Sequence, residues 1–278
     1  MLNIYYKYTT NGPGKVVNNL KKGLDLLGEK YQENISHPTQ EEKGLFLQDD
    51  DQFESYIPDN LIIGPNICTL PIDNTFVMRK QYKKIIVPSE WVKNLYIRWI
   101  PEHKIAIWPV GIDTDLFSDK KSCDKSIDCL IYFKRRHSEE LQFLIQMLID
   151  MEQSYCVMEY GNYSESEFVK NIERCKYGIV LDKPESQGIA IQEMMSCNLP
   201  LFVMDCTEWG DRGKDLSCEA TSVPYWNSEC GMRVIESEDT KSNFKNFILI
   251  KDNYNPREFI LQNLSLEKQA RELLNLFQ

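Results

Sequence analysis

The stretch Tyr177-Gly178-Ile179-Val180-Leu181-Asp182-Lys183-Pro184-Glu185-Ser186-Gln187-Gly188-Ile189-Ala190-Ile191-Gln192-Glu193-Met194-Met195-Ser196-Cys197-Asn198-Leu199-Pro200-Leu201-Phe202-Val203-Met204 decides the fold. Its two apolar ends, Tyr177 to Leu181 and Leu201 to Met204, show no polar alternation, as strands buried on both faces do. Between them lie a polar turn and a helical segment from Ile189 to Met195. A strand, a helix and a second strand in so short a span imply a parallel pair with a right-handed crossover.

The same alternation runs outward in both directions. Upstream, Cys129 to Phe133 and Tyr155 to Met158 read as strands. Ser138 opens a helix carrying Leu141, Leu144, Ile145 and Leu148. Ser164-Glu165-Ser166-Glu167 has capping-box spacing before Phe168 and Ile172. Nearer the start, Leu2 to Tyr6, Leu61 to Ile63, Lys83 to Val87 and His103 to Trp108 read as strands. A helix with Val16, Val17, Leu20, Leu24 and Leu27 on one face stops at Gly28, and Ser89 is placed to cap a helix through Trp91, Leu95 and Trp99. The last 40 or so residues read as helices: one from Ser237 or later, one with Pro256 in its first turn, one capped by Ser265. Periodicity fails between Gly111 and Ser126. The expectation is an α/β protein of two Rossmann-like domains with parallel sheets, residues 1–112 and 113–258, with 259–278 returning to the first domain.

Composition sets limits on function. With 278 residues the chain is one large domain or two modest ones. Twelve Phe, 14 Tyr and 5 Trp exclude an intrinsically disordered chain. A net charge of −10 argues against coating nucleic acid or an anionic membrane. Apolar runs are far shorter than the roughly 20 residues that span a bilayer. The start, Met1-Leu2-Asn3-Ile4-Tyr5-Tyr6, lacks the marks of a signal peptide. Nine Cys without a CxxC pair read as reduced cytosolic thiols, not as disulfides or a zinc site.

The turn before the helix carries chemistry. Gly188 lets a backbone approach a ligand, and the free N–H groups from Gly188 and Ile189 onward form an anion site. Ligands of such sheets lie beyond the carboxyl ends of the strands. Glu193, about one and a half turns into the helix, can accept from two ribose hydroxyls, and Glu185 from sugar hydroxyls. Ser186 and Gln187 fall in the same turn.

A second string strengthens this reading. Val87-Pro88-Ser89-Glu90-Trp91-Val92-Lys93 is followed by Lys104-Ile105-Ala106-Ile107-Trp108-Pro109-Val110-Gly111-Ile112-Asp113-Thr114-Asp115-Leu116-Phe117. Together the two strings resemble the retaining glycosyltransferases of the GT-B-fold family 4. There a strand ends in a Ser-containing turn, a later strand ends in a Pro-Asn-Gly-Val-Asp-like linker, and two Glu flank seven residues that include a Gly. Glu185, Gly188 and Glu193 match that spacing. The resemblance covers most of 83–205 and is thinner over 1–82. It implies two parallel-sheet domains facing across a cleft, retention of anomeric configuration and no metal requirement. It implies sugar contact for Glu185 and ribose contact for Glu193, and closure about Gly111 to Asp115. It also implies that a donor phosphate oxygen can take the acceptor's proton.

Other candidates surround this core. Lys134-Arg135-Arg136 follows the first strand of the second domain, where cations can neutralise a diphosphate and the charge on a leaving group. Lys134 and Arg135 are the cations assigned there. The family has an Arg near this place and a later Lys-Gly pair that this sequence lacks. Asn11-Gly12-Pro13-Gly14-Lys15 resembles the family's glycine-rich first loop, with Gly12 and Gly14 facing the donor. Tyr160-Gly161-Asn162-Tyr163 reads either as a base-holding loop, with Tyr160 or Tyr163 stacking, or as a plain surface loop. Asp49-Asp50-Asp51 could hold a divalent metal, as in the rival GT-A fold, but reads here as a solvated loop. His37 and His103 sit in no motif, and His137 adjoins the basic triplet.

The function expected is transfer of a hexose from a nucleotide sugar to a glycan or other hydroxyl acceptor. GDP-mannose, towards which the reading leans, and UDP-glucose are both family donors, and no residue decides between them. No cofactor, metal or nucleic acid is expected, the location expected is the cytoplasm, and homodimerisation stays open. The rival classes are a nucleotide-sugar epimerase of the same fold and a non-catalytic sugar-nucleotide or glycan binder.

Overall fold

The apolar runs form strands, and the strands build two parallel sheets. The computed structural model describes residues 1–10, 12–48, 54–67, 70–79, 81–119, 125–211, 213–235 and 239–278. Asn11, the Asp49–Asp51 run and Ser237 lie outside the described residues. The chain divides into two compact units, Met1–Gly111 with Leu264–Gln278, and Ile112–Asn263.

The first unit contains β1 (Leu2–Tyr5), α1 (Gly12–Leu26), β2 (Tyr31–Glu33), β3 (Lys43–Phe46), β4 (Leu61–Ile63), α2 (Thr75–Arg79), β5 (Lys84–Val87), α3 (Glu90–Tyr96) and β6 (Ile105–Ile107). Its sheet runs β2-β1-β3-β4-β5-β6. Every pairing is parallel, with Ile4 opposite Leu45, Leu45 opposite Ile62, and Ile85 opposite Ile105. The inner strands are buried almost end to end, as their unbroken apolar sequence requires. α1 buries Val16, Val17, Leu20 and Leu24. The glycine-rich run is not a loop before this helix: Gly12 to Lys15 form its first turn. Pro13 fits there because a first-turn N–H has no helical partner. Ser89 stands at the N-cap of α3, but its hydroxyl makes no cap hydrogen bond and is buried without a partner among the described residues.

The second unit contains β7 (Ile127–Phe133), α4 (Ser138–Asp150), β8 (Tyr155–Glu159), α5 (Glu165–Arg174), β9 (Cys175–Leu181), α6 (Ile189–Ser196), β10 (Leu201–Asp205), β11 (Glu208–Asp211), β12 (Leu216–Glu219), β13 (Gly231–Ile235), α7 (Thr240–Ile250) and α8 (Pro256–Asn263). The main sheet runs β13-β10-β9-β7-β8, all parallel, and β11 and β12 pair as a separate antiparallel hairpin. α4 and α7 cover one face, where Leu144, Leu148, Phe244 and Phe247 pack on Ile131, Ile179 and Phe202. The caps at Ser164 and Ser265 are made: each side chain accepts from the backbone N–H three residues on. The chain closes with α9 (Leu266–Asn275), which belongs to the first unit and packs on α1. Trp108, fully buried after β6, donates its Nε1–H to the Gln269 carbonyl of α9 at 2.8 Å.

Sequence reading missed β2, α2, the β11–β12 hairpin and β13. β2 and α2 are three and five residues long, the hairpin strands Glu208-Trp209-Gly210-Asp211 and Leu216-Ser217-Cys218-Glu219 mix charged, polar and apolar residues, and β13 is an edge strand with Arg233 at its centre. None presents the continuous apolar run that marked the buried strands. Among the described residues all cysteines are free thiols.

Candidate active site

The parallel register sets β7 and β9 side by side, with Phe133 opposite Leu181. The residue after each strand therefore emerges at the same edge. Lys134 N–H donates to the Leu181 carbonyl at 3.0 Å, which fixes the start of the basic triplet beside Asp182. Arg135 takes φ of +56°, a left-handed conformation uncommon for a residue with a side chain.

The triplet divides there. Lys134 Nζ and Arg135 Nη2 both donate to Glu185 Oε1. Arg135 also donates through Nε and Nη2 to Asp182 Oδ1, each at 3.3 Å, and to the Pro184 carbonyl at 3.0 Å. Lys134 Nζ lies 4.0 Å from Asp182 Oδ2. Arg136 instead donates to Glu140, whose other oxygen accepts from the His137 N–H at the start of α4. That places His137 in the helix cap. Two cations and two carboxylates thus meet at the carboxyl edge of the sheet.

Burial sharpens the electrostatics. The Asp182 side chain has no exposed surface and that of Glu185 is 11% exposed. Burial pushes the Asp182 carboxyl up to about 8; the neighbouring Glu185 charge adds to the rise, and Lys134 and Arg135 oppose it. Burial works against the Arg135 charge, but Asp182 and Glu185 outweigh it and hold the guanidinium above its ordinary value.

The loop bearing Glu185 is held from behind by a segment that sequence reading did not single out. Glu185 N–H donates to the Thr221 carbonyl at 3.1 Å, and Ser222 Oγ–H to the Asp182 carbonyl at 2.9 Å. Asp205, ending β10, accepts from the Thr221 hydroxyl, the Ser222 N–H and the Cys206 N–H. Further along, Gln192 Nε2 donates to the Gln187 carbonyl at 2.7 Å, and Gln187 Nε2 returns a bond to Gln192 Oε1 at 3.1 Å. This pair clamps the turn onto α6.

Gly188 is the N-cap of α6, with φ +79° and ψ 47°. Left-handed geometry is why glycine stands there. Ile189 begins the helix, and Ser186 is exposed. Glu193 is only 1% exposed, so it is not a helix-surface residue. Its charge is felt by Tyr163, which burial chiefly pushes up, against a hydrogen bond with Tyr132. At its other end α6 is tied down by Arg257 of α8, which donates to the carbonyls of Ser196, Phe117 and Thr114.

Other expected site residues have identifiable surroundings. The Tyr160 ring lies 4.2 Å from Lys134 Nζ, a cation–π contact that occupies one of its faces. Tyr163 stacks on Phe168 at 4.9 Å. Gly12 and Gly14 belong to the first unit and not to this cluster. A side chain at Gly12 would meet nothing, whereas a Cβ at Gly14 would come within 1.9 Å of the Thr9 carbonyl, so the chain itself requires that glycine. His37 is exposed, and the His103 carbonyl accepts from Lys84. Asp182, Asp205, Thr221 and the Gln187–Gln192 clamp were missed. Asp182 and Asp205 carried a signal, an acidic residue directly at a strand's carboxyl end.

Several solved structures share this architecture. AviGT4, a glycosyltransferase involved in avilamycin A biosynthesis, matches with a TM-score of 0.63 at 8% identity, over 99% of this chain and 96% of that one. Sucrose-phosphate synthase from Thermosynechococcus elongatus matches at 0.59 and 10%, over 99% and 98%. The lipopolysaccharide outer core galactosyltransferase WaaB matches at 0.58 and 12%, again over 99% and 98%. The fold is GT-B. No family model matches the chain, and no curated protein matches it in sequence.

Chemically, the second unit presents a helix N-terminus and two cations beside a carboxylate, at the edge of the sheet where α/β proteins bind ligands. Among the described residues no three His, Cys, Asp or Glu side chains are grouped to hold a metal ion, and no helix is long and apolar enough to cross a membrane.

Proposed function

We propose that the protein is a retaining glycosyltransferase that moves a hexose from a nucleoside diphosphate sugar to a hydroxyl of a glycan or related acceptor, without a metal ion. The observation that carries this reading is the convergence of Lys134 and Arg135 on Glu185, one turn before the start of α6. The activities named for AviGT4 and WaaB are glycosyl and galactosyl transfer, and the reading extends that class to this chain.

On this reading the donor's diphosphate takes Lys134 and Arg135 from Glu185 and receives the N–H groups at Gly188 and Ile189. Glu185, released, accepts from sugar hydroxyls. Glu193 accepts from the ribose, and Tyr160 lies against the base. As the glycosidic bond breaks, charge grows on the departing diphosphate, where the two cations and the helix N-terminus stabilise it. The acceptor's proton goes to a phosphate oxygen of the donor.

The test is calorimetric titration with UDP-, GDP- and ADP-sugars, with and without EDTA, followed by product analysis with a hydroxyl acceptor. Selective micromolar binding of one donor, insensitive to EDTA, with release of nucleoside diphosphate, is the expected result. Binding only with metal would overturn the metal-free mechanism. A changed sugar without free nucleoside diphosphate would make the protein an epimerase, and binding without transfer or hydrolysis would make it a binder.

A further inference from the structure

We propose that Asp182 holds a proton at neutral pH, and that this proton sets how strongly the Lys134–Arg135 pair draws a diphosphate. The second half of the proposal rests on the reading of this site as a diphosphate site.

The geometry places both carboxylates on one donor. Arg135 Nη2 bonds Asp182 Oδ1 at 3.3 Å and also bonds Glu185 Oε1. Asp182 Oδ2 is buried and within reach of no hydrogen-bond donor among the described residues; the nearest cation, Lys134 Nζ, is 4.0 Å away. An ionised carboxylate with one oxygen stripped of water and left bare is unstable, and a second carboxylate beside it adds repulsion. The charge on Glu185 opposes ionisation of Asp182. The upward push on Asp182 agrees with this arrangement.

Other groups face Asp182 from the elements around it. Lys134 and Arg135 come from the turn after β7, Tyr132 from β7 and Tyr163 from the loop after β8, and Glu193 of α6 acts on Tyr163. Asp205 ends β10 beyond Ser222, and is engaged by Thr221, Ser222 and Arg233. Both tyrosines are pushed up by burial and stay protonated, so the titrating group is Asp182.

The consequence is a change in charge. With Asp182 protonated, two cations face a single negative charge and the cluster is net positive. With the proton lost, the cluster is neutral and meets an anionic diphosphate with no net attraction. On raising the pH the proton leaves to solvent, and a donor that binds the deprotonated site draws one back from the buffer. No covalent bond changes in either step.

Two measurements test the proposal. In carbon NMR of ligand-free protein labelled at Asp and Glu carboxyls, one resonance is expected to titrate between about pH 7 and 9 and to be absent in Asp182→Asn. A spectrum in which every carboxyl titrates below about pH 6 would overturn the proton on Asp182, whether or not the variant folds. In calorimetry with UDP-glucose and GDP-mannose, whose diphosphates do not titrate in this range, wild-type affinity is expected to fall about tenfold between pH 7 and 9, with uptake of one proton. Asp182→Asn, net positive at every pH, is expected to stay flat. Equal pH dependence in the two proteins, or none in wild type, would overturn the role in binding. No binding of any donor at any pH would overturn the diphosphate reading and that role together, while the carboxyl titration decides the proton on Asp182 by itself.

Discussion

Gly188→Ala separates a glycine needed by the chain from one needed by a ligand. Glycine is required here by its left-handed φ of +79°. Placing an L side chain in that region costs roughly 1–2 kcal/mol. Packing adds nothing: a Cβ would meet Ile191 Cδ1 at 3.6 Å, Glu185 Cβ at 3.7 Å and the Ser222 carbonyl oxygen at 3.8 Å, all ordinary contacts. For a unit the size of Ile112–Asn263, each kcal/mol shifts the melting temperature by roughly 2–4 °C, so a fall of about 2–8 °C is expected. The new methyl stands beside Glu185, where the donor's diphosphate is placed on the proposed reading. Donor affinity is expected to fall at least tenfold, about 1.4 kcal/mol, over and above the stability change. Thermal melting and calorimetric titration with the preferred nucleoside diphosphate measure the two effects separately. A variant that melts in the expected window yet binds as wild type does would refute the close approach at Gly188. A much larger loss of stability would refute the inference that the methyl is accommodated.

Four further outcomes are expected. Lys134→Ala combined with Arg135→Ala weakens nucleoside diphosphate binding more than nucleoside binding in parallel titrations; equal losses would remove the phosphate role. Glu193→Ala weakens donor binding by about 1.5–3 kcal/mol, roughly 10- to 150-fold, through lost ribose hydrogen bonds to a charged group, and unchanged affinity in a folded variant would refute the ribose assignment. Arg257→Ala leaves the Thr114, Phe117 and Ser196 carbonyls without their guanidinium and costs about 3 kcal/mol, read as a melting temperature lower by roughly 6–12 °C; a shift below 2 °C would show that water replaces the clasp. Stability between pH 6 and 9 is expected to fall in wild type and not in Asp182→Asn. The native carboxyl keeps its proton up to about pH 8 while the unfolded one has lost it near pH 4, so the stabilisation is complete at low pH and lost as the native group ionises; parallel melting curves against pH would disprove it.

What could be read from the sequence depended on whether a side chain's role is local. Strands such as Leu61–Ile63 and Tyr177–Leu181 announce themselves because burial on both faces forbids polar residues. Gly188, at the junction of a turn and a helix, and Ser164 and Ser265, at helix starts, are visible for the same reason: their work is done within a few residues. The grouping of Lys134 and Arg135 with Glu185 was half visible, since each stands just past a strand, but only the β7–β9 register brings them together. Arg136 looked equivalent to its two neighbours and is not, because Glu140 one turn on takes it into the cap of α4. Asp182 looked like a turn residue before Lys183-Pro184; its burial comes from Ser222 and the surrounding strands, forty residues away in sequence. Arg257 reads as a surface charge near the start of α8, yet it is bound to carbonyls as far back as Thr114. The basic residues hardest to assign were those whose partners are main-chain oxygens, which any sequence supplies.

The return of α9 to α1 gives the first unit a peculiar history on the ribosome. Its sheet is complete once Ile107 has been made, but the surface that receives α9 is not covered until Leu264–Gln278 arrive. At roughly 5–20 residues per second, the intervening Ile112–Asn263 takes about 8–30 s to synthesise. During that interval Trp108 lacks the Gln269 carbonyl that its indole N–H meets in the finished protein. The second unit, contiguous in sequence, can close before the first does. The nascent chain is therefore most open to chaperones and proteases at the first unit, and lesions that delay or remove α9 are expected to be felt there.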